Sequence, residues 1–213
     1  MLEKRLTIGK NLKIPALAAL MGLVLAVQGC YFPILFDAEI EIDRTGYYKI
    51  TFDGYLADLG LYKGLRSKEI GPAEEEEKVA RIITDLTRDS STLEAKYFKK
   101  GRFKVHWEKS GDLLRDKMIT FFRRNEKLLT LKYVSTNNMI TMEGASIGKS
   151  AAKQLTEIGL GGMQGKIRVI TDAKVISDNA NKKKKGKKSR EMIYSWKING
   201  LYGPMPRLVI AIR

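Results

Sequence analysis

Apolar and polar residues alternate from Phe36 onward: Phe36, Ala38, Ile40 and Ile42 are separated by Asp37, Glu39, Glu41 and Asp43. A period of two places one set on a buried face and the other in water. After Arg44-Thr45-Gly46 the alternation resumes, with Tyr48, Ile50 and Phe52 set against Lys49, Thr51 and Asp53. Residues 31–56 therefore predict a β-hairpin closed by a three-residue loop, with Gly46 in the left-handed position. The register that reconciles both faces puts Ile42 across from Tyr48, Ile40 from Ile50, and Glu41 from Lys49. The four carboxylates project in a row and read as a solvated face, because calcium ligands converge around a turn.

Residues 57–71 carry a weak signal, punctuated by Gly60, Gly64 and Gly71. A helix then starts at Pro72, with Glu74 to Glu77 where the dipole favours negative charge and Val79, Ile82, Ile83 and Leu86 as its packing stripe. Ala95 to Lys109 has strand character: Phe103, Val105 and Trp107 alternate with charged residues, so His106 falls on the wet face, away from any nucleophile, and is not read as catalytic. Met118–Phe122, Leu128–Val134 and Met139–Glu143 predict further strands, with turns at Asn125-Glu126 and Asn137-Asn138 and added positive charge at Arg123 and Arg124. The stretch from Gly144 to Ser150 resembles a phosphate-binding loop, but it has three residues between its glycines where four are required, and Glu143 stands where the first glycine is needed. It reads instead as a turn into a helix that buries Ala151, Ala152, Leu155 and Ile158 and ends at Gly159, Gly161 and Gly162. Strands follow around Ile167 and Val169, over Lys174–Asn181, along Met192, Tyr194, Trp196 and Ile198, and over Arg207–Arg213.

The fold class expected is α+β: an antiparallel β-sheet of about six to eight strands packed with two helices. With one cysteine among 213 residues, no intramolecular disulfide framework forms. With His106 the only histidine, no metal site is expected. No cofactor is expected either.

Residues 1–30 change the picture. Lys4, Arg5, Lys10 and Lys13 precede an apolar run from Ile14 to Val27, which is shorter than the roughly 20 residues a spanning helix needs. The run closes on Val27-Gln28-Gly29-Cys30, which resembles a bacterial lipobox, with valine where leucine is usual. The resemblance implies a lipoprotein signal peptide over 1–29, with its own apolar helix, and a single domain over 30–213 attached to the membrane through diacylglyceryl on Cys30. Tyr31 follows the cysteine. By analogy with lipoprotein sorting in Gram-negative bacteria, the lack of aspartate there implies the periplasmic side of the outer membrane. In a Gram-positive organism the anchor would sit on the cell membrane.

The whole chain carries +15, and residues 30–213 hold 35 basic and 23 acidic residues, or +12. Such charge suits anionic partners, and export leaves anionic lipid or lipopolysaccharide ahead of nucleic acid. The strongest concentration is Lys182, Lys183, Lys184, Lys185, Lys187, Lys188 and Arg190, expected as the mobile tip of a long hairpin. It is either a solvated loop or a contact for an anionic membrane surface.

Several segments resemble a group of small proteobacterial lipoproteins: Glu41 to Tyr48 through Phe52-Asp-Gly-Tyr55, Lys100-Gly-Arg-Phe103, and Val175 to Ala180 followed by Tyr194 to Ile198. The asparagine-alanine pair before a Trp-containing strand also resembles the mycobacterial LppM-like lipoproteins. That resemblance implies an α+β domain with lipid contact. The lysine insert departs from both groups, and neither supplies a catalytic residue. The reading is a non-catalytic, membrane-anchored envelope lipoprotein that binds lipid or an envelope partner through an apolar sheet face and the basic loop. The alternative is an envelope hydrolase with an unrecognised acid–base site.

Overall fold

The computed structural model describes residues 31–123 and 126–212. The expected signal peptide over 1–29, Cys30, Arg124, Asn125 and Arg213 lie outside them. Strands β1 (Tyr31–Ile42) and β2 (Tyr47–Asp58) form the expected hairpin, in the expected register at Ile42–Tyr48, Ile40–Ile50 and Glu41–Lys49. Gly46 has φ +90°, and the Asp43 carboxylate accepts from Thr45 N at 2.8 Å and from Tyr47 N at 3.1 Å, which organises the turn. Of the carboxylate row, Glu41 and Asp43 are exposed and Asp37 and Glu39 half-buried.

Helix α1 (Leu59–Arg66) follows, capped by Asp58, whose Oδ1 accepts from Leu61 N at 2.8 Å. Helix α2 (Pro72–Thr87) begins at Pro72 with Glu74 and Glu75 in its first turn, as its composition requires. Its stripe packs inward, with Leu86 fully buried and Val79, Ile82 and Ile83 partly so.

The stretch of strand character over Ala95–Lys109 falls in two strands, β3 (Thr92–Lys99) and β4 (Arg102–Asp112). Lys100 and Gly101 both take positive φ and fold the chain into a tight hairpin. A short helix α3 (Leu113–Asp116) leads to β5 (Met118–Arg123), β6 (Glu126–Val134) and β7 (Met139–Gly144). Helix α4 (Lys149–Glu157) follows the loop that resembled a phosphate cradle. Ala152 and Leu155 are buried on it and Ile158 half-buried, whereas Ala151, expected to face the core, is exposed because it lies off their stripe. Gly159 takes φ +85° just past its end. The chain closes with β8 (Gln164–Thr171), β9 (Lys174–Asp178), β10 (Lys182–Lys185), β11 (Met192–Asn199) and β12 (Arg207–Ala211).

The fold is α+β, but with more elements than expected: twelve strands in two sheets and four helices among the described residues. The seven-stranded sheet runs β10-β11-β8-β1-β2-β4-β3, and the five-stranded sheet runs β5-β6-β7-β12-β9. All pairs are antiparallel except β1 with β8. The inner faces meet where Phe121 of β5 packs on Phe52 and Trp107, with ring centroids 4.5 and 5.2 Å apart. Helices α1 and α2 add Leu61 and Leu86 to this core, and Tyr31 and Tyr97 donate to Asp85 and Glu75 of α2.

The opposite face of the large sheet is wet. There Arg168 binds Asp37 at 2.9 Å and Glu39 at 2.8 Å. Lys104 pairs with Asp53 at 3.2 Å, and Lys49 with Glu108 at 3.4 Å.

Candidate functional site

An apolar cleft opens between the two sheets. Phe36, Ile167 and Ile198 form its wall on the large sheet, Phe121 and Leu129 the wall on the small one, and Ile147, Met205 and Pro206 come from connections. The loop 145–148, which led into α4 rather than around a phosphate, therefore contributes an apolar wall. The cavity measures about 70 Å³, and every lining side chain is apolar. Pockets for whole drug-sized ligands run to roughly 300–1,000 Å³, so this one is far smaller than such a site. A space without polar partners holds water poorly and takes up apolar matter.

The cleft depends on two glycines that sequence reading passed over. Phe36 stands between Gly54 of β2 and Gly165 of β8 in the ladder. A Cβ on Gly165 would overlap the Phe36 ring, and one on Gly54 would lie 2.6 Å from the Leu35 carbonyl oxygen and from Phe36 Cβ. Glycine inside a strand marks close approach of another group, and that was the available signal. With both glycines in place, the ring of Phe36 lies against its neighbours and stacks on Phe52 with centroids 5.8 Å apart.

The lysine run differs from its expectation. Lys182–Lys185 form β10, an edge strand paired with β11, with Lys182 opposite Ser195 and Lys185 opposite Met192. The tip of the hairpin is thus shortened to residues 186–191, because the lysines of β10 are backbone-paired in a ladder. Lysine on an edge strand also discourages pairing with another chain. Lys183 Nζ lies 2.8 Å from Asp178, and this hydrogen bond raises its pKa despite some desolvation. In the turn, the backbone N–H groups of Lys187 and Lys188 donate to Glu191 Oε2 at 3.0 and 3.2 Å, and Arg190 takes φ +68°. All seven basic side chains are exposed, and Lys182, Lys184, Lys185, Lys187 and Arg190 have no ion pair among the described residues.

His106 sits on the wet face of β4, 3.4 Å from Asp53 and 3.4 Å from Glu108. Among the described residues, no three His, Cys, Asp or Glu side chains converge as metal ligands would, and no helix is long and apolar enough to cross a membrane.

No protein-family model matches the sequence, and no curated protein matches it significantly. Among solved structures, the folded domain of the LppM protein of Mycobacterium tuberculosis, determined by NMR, is similar to this chain. The TM-score is 0.44 at 12% identity, covering 87% of this chain and 92% of that one.

Proposed function

We propose that this protein is a non-catalytic lipoprotein of the bacterial cell envelope, tethered by diacylglyceryl on Cys30, that receives the acyl chain of a lipid between its two sheets. The observation that carries the reading is the wholly apolar lining of the cleft, which includes Pro33 just beyond the proposed anchor. A tether at Cys30 would hold the cleft close to lipid and raise its local concentration. The basic residues of β10 and its turn would then face an anionic surface, where each contributes on the order of 1 kcal/mol within a Debye length. In a Gram-negative cell the address is the periplasmic side of the outer membrane.

Mass spectrometry of the protein purified from membranes tests both halves. A diacylglyceryl adduct on Cys30 and a co-purifying acyl lipid are expected. Ala145→Trp, which places an indole at the cleft wall, should remove the co-purified lipid and leave the adduct intact. An unmodified Cys30 overturns the anchor, and equal lipid on the folded Ala145→Trp variant overturns the cleft as the binding site.

A further inference from the structure

The wet face of the large sheet carries a line of apolar side chains at the end where β1 begins. Leu35 of β1 stands opposite Tyr55 of β2, and the ring of Phe98 on β3 meets that of Tyr55 edge-on, with centroids 5.3 Å apart. The alternation that sends Ala38 and Phe52 to the core turns Leu35 and Tyr55 away from it. Leu35 is 52% exposed and Phe98 49%, and Tyr55 is half-buried.

Cations flank this line on both sides. Lys99 Nζ and Arg102 Cζ lie 5.3 and 5.5 Å from the centre of the Phe98 ring. Beyond Leu35, Lys166 of β8 and Lys197 of β11 stand directly opposite each other, and like charges paired across a ladder repel. None of these four has an ion pair among the described residues. The carboxylates nearest the line are already engaged, Asp37 by Arg168, Asp53 by Lys104 and Glu94 by Lys96. The uncompensated charge beside the apolar line is therefore positive.

The chain itself limits what this end of the sheet can face. Cys30 is five residues before Leu35, and five extended residues span at most about 18 Å. An acylated Cys30 therefore keeps the line close to the membrane surface. Leucine, tyrosine and phenylalanine bordered by Lys and Arg suit the headgroup region of an anionic bilayer. We propose that the outer face of the large sheet docks on the anionic membrane that holds the anchor. Leu35, Tyr55 and Phe98 sit at headgroup level, and Lys99, Arg102, Lys166 and Lys197 contact lipid phosphates. This rests on the Cys30 anchor of the reading above and is independent of the cleft, which lies on the inner face. Lipid phosphate relieves the repulsion between Lys166 and Lys197 by neutralising both. Lys182 and Lys184 of β10 point to the same side of the ladder as Lys197 and meet the same surface.

The test places the full chain, purified from membranes, in vesicles whose acyl chains carry bromine beside the headgroup, and reads the quenching of tryptophan fluorescence. Wild type, whose Trp107 and Trp196 are buried, sets the baseline. Phe98→Trp is expected to shift its emission to the blue and to be quenched beyond that baseline in phosphatidylglycerol, and much less in phosphatidylcholine. Lys132→Trp, at an exposed position on the outer face of the small sheet, should stay at the baseline. Adding K99Q/R102Q/K166Q/K197Q to Phe98→Trp should abolish the excess quenching. Adding K185Q/K187Q/K188Q/R190Q, which removes as many charges around the β10–β11 turn, should leave it. Should the first set fail to fold, K166Q/K197Q alone carries the comparison and should lose part of the excess. Phe98→Trp quenched no more than Lys132→Trp, on protein whose Cys30 is shown by mass spectrometry to be acylated, overturns the docking while the anchor stands. Equal quenching in the two lipids, or equal loss with the two charge sets, overturns the assigned phosphate contacts. An unmodified Cys30 overturns the anchor, and this inference with it.

Discussion

The Asn179 side chain accepts from the indole N–H of Trp196 at 2.8 Å, joining the segment that leaves the small sheet to a central residue of the large one. The same oxygen accepts from Arg207 N at 2.7 Å, and the Asn179 amide donates to the Met205 carbonyl at 2.9 Å. Asn179 thus pins β11 and the entry to β12 at the point where the chain passes from β9 in one sheet to β10 in the other. The asparagine-alanine pair before a Trp-containing strand therefore has a structural role.

Asn179→Ala should destabilise the protein by about 1–3 kcal/mol, since it leaves the indole N–H of the buried Trp196 without its partner. Chemical denaturation measures this. Trp196→Phe should cost less than the sum expected for independent sites when combined with Asn179→Ala, because the two share a bond.

Asp58 caps α1 but is nearly buried, at 8% exposure. Burial raises its pKa, only partly opposed by the hydrogen bond from Leu61 N and the charge of Lys78. A raised carboxyl pKa means that the folded state holds its proton longer, so stability from this group falls as pH rises through the carboxylate range. Asp58→Asn keeps an acceptor for Leu61 N without the charge, and should be neutral or stabilising at pH 7. Asp58→Ala should cost about 1 kcal/mol through loss of the cap. Thermal melts from about pH 3 to about pH 8, which span the carboxylate window and beyond, distinguish the two.

Tyr48 is 1% exposed and donates to Asp116 at 2.9 Å. Burial, then the hydrogen bond and charge of Asp116, raise its pKa well above the usual 10.0. Its contribution is complete below the unfolded value and is lost as pH rises above it. Tyr48→Phe should cost about 1 kcal/mol at neutral pH and flatten the alkaline limb of the stability profile. The limb should persist in part, because burial raises Tyr97 and Tyr194 as well.

Gly165→Ala should push the Phe36 ring out of its place between the glycines, and an effect of roughly 1–3 kcal/mol is the usual cost of overpacking. The displaced ring should also reshape the cleft, so uptake of an alkyl probe should fall. Phe36→Leu in the same background should restore much of the stability, which a double-mutant cycle reads directly.

Local relationships were legible in the sequence. The hairpin register at Ile40–Ile50 and Glu41–Lys49, the turn at Gly46 and the start of α2 at Pro72 each depend on residues adjacent in the chain or facing across a short loop. The alternation of Tyr194, Trp196 and Ile198 was legible for the same reason, and all three are buried. Helix α1 was missed because its cap, Asp58, sits at the end of a strand and three glycines interrupt the segment that follows.

By itself the sequence determined an α+β chain with a half-wet hairpin, an acidic-headed helix and an N-terminal segment resembling a lipoprotein signal, because periodicity and capping are properties of neighbours. Only the tertiary structure decided that β9 and β10 part into different sheets, that a run of lysines becomes a paired edge strand, and that Gly54 and Gly165 flank Phe36 beside an apolar cleft. Those outcomes depend on which distant strands meet, and a strand's own residues carry no record of the partner that hydrogen-bonds to it.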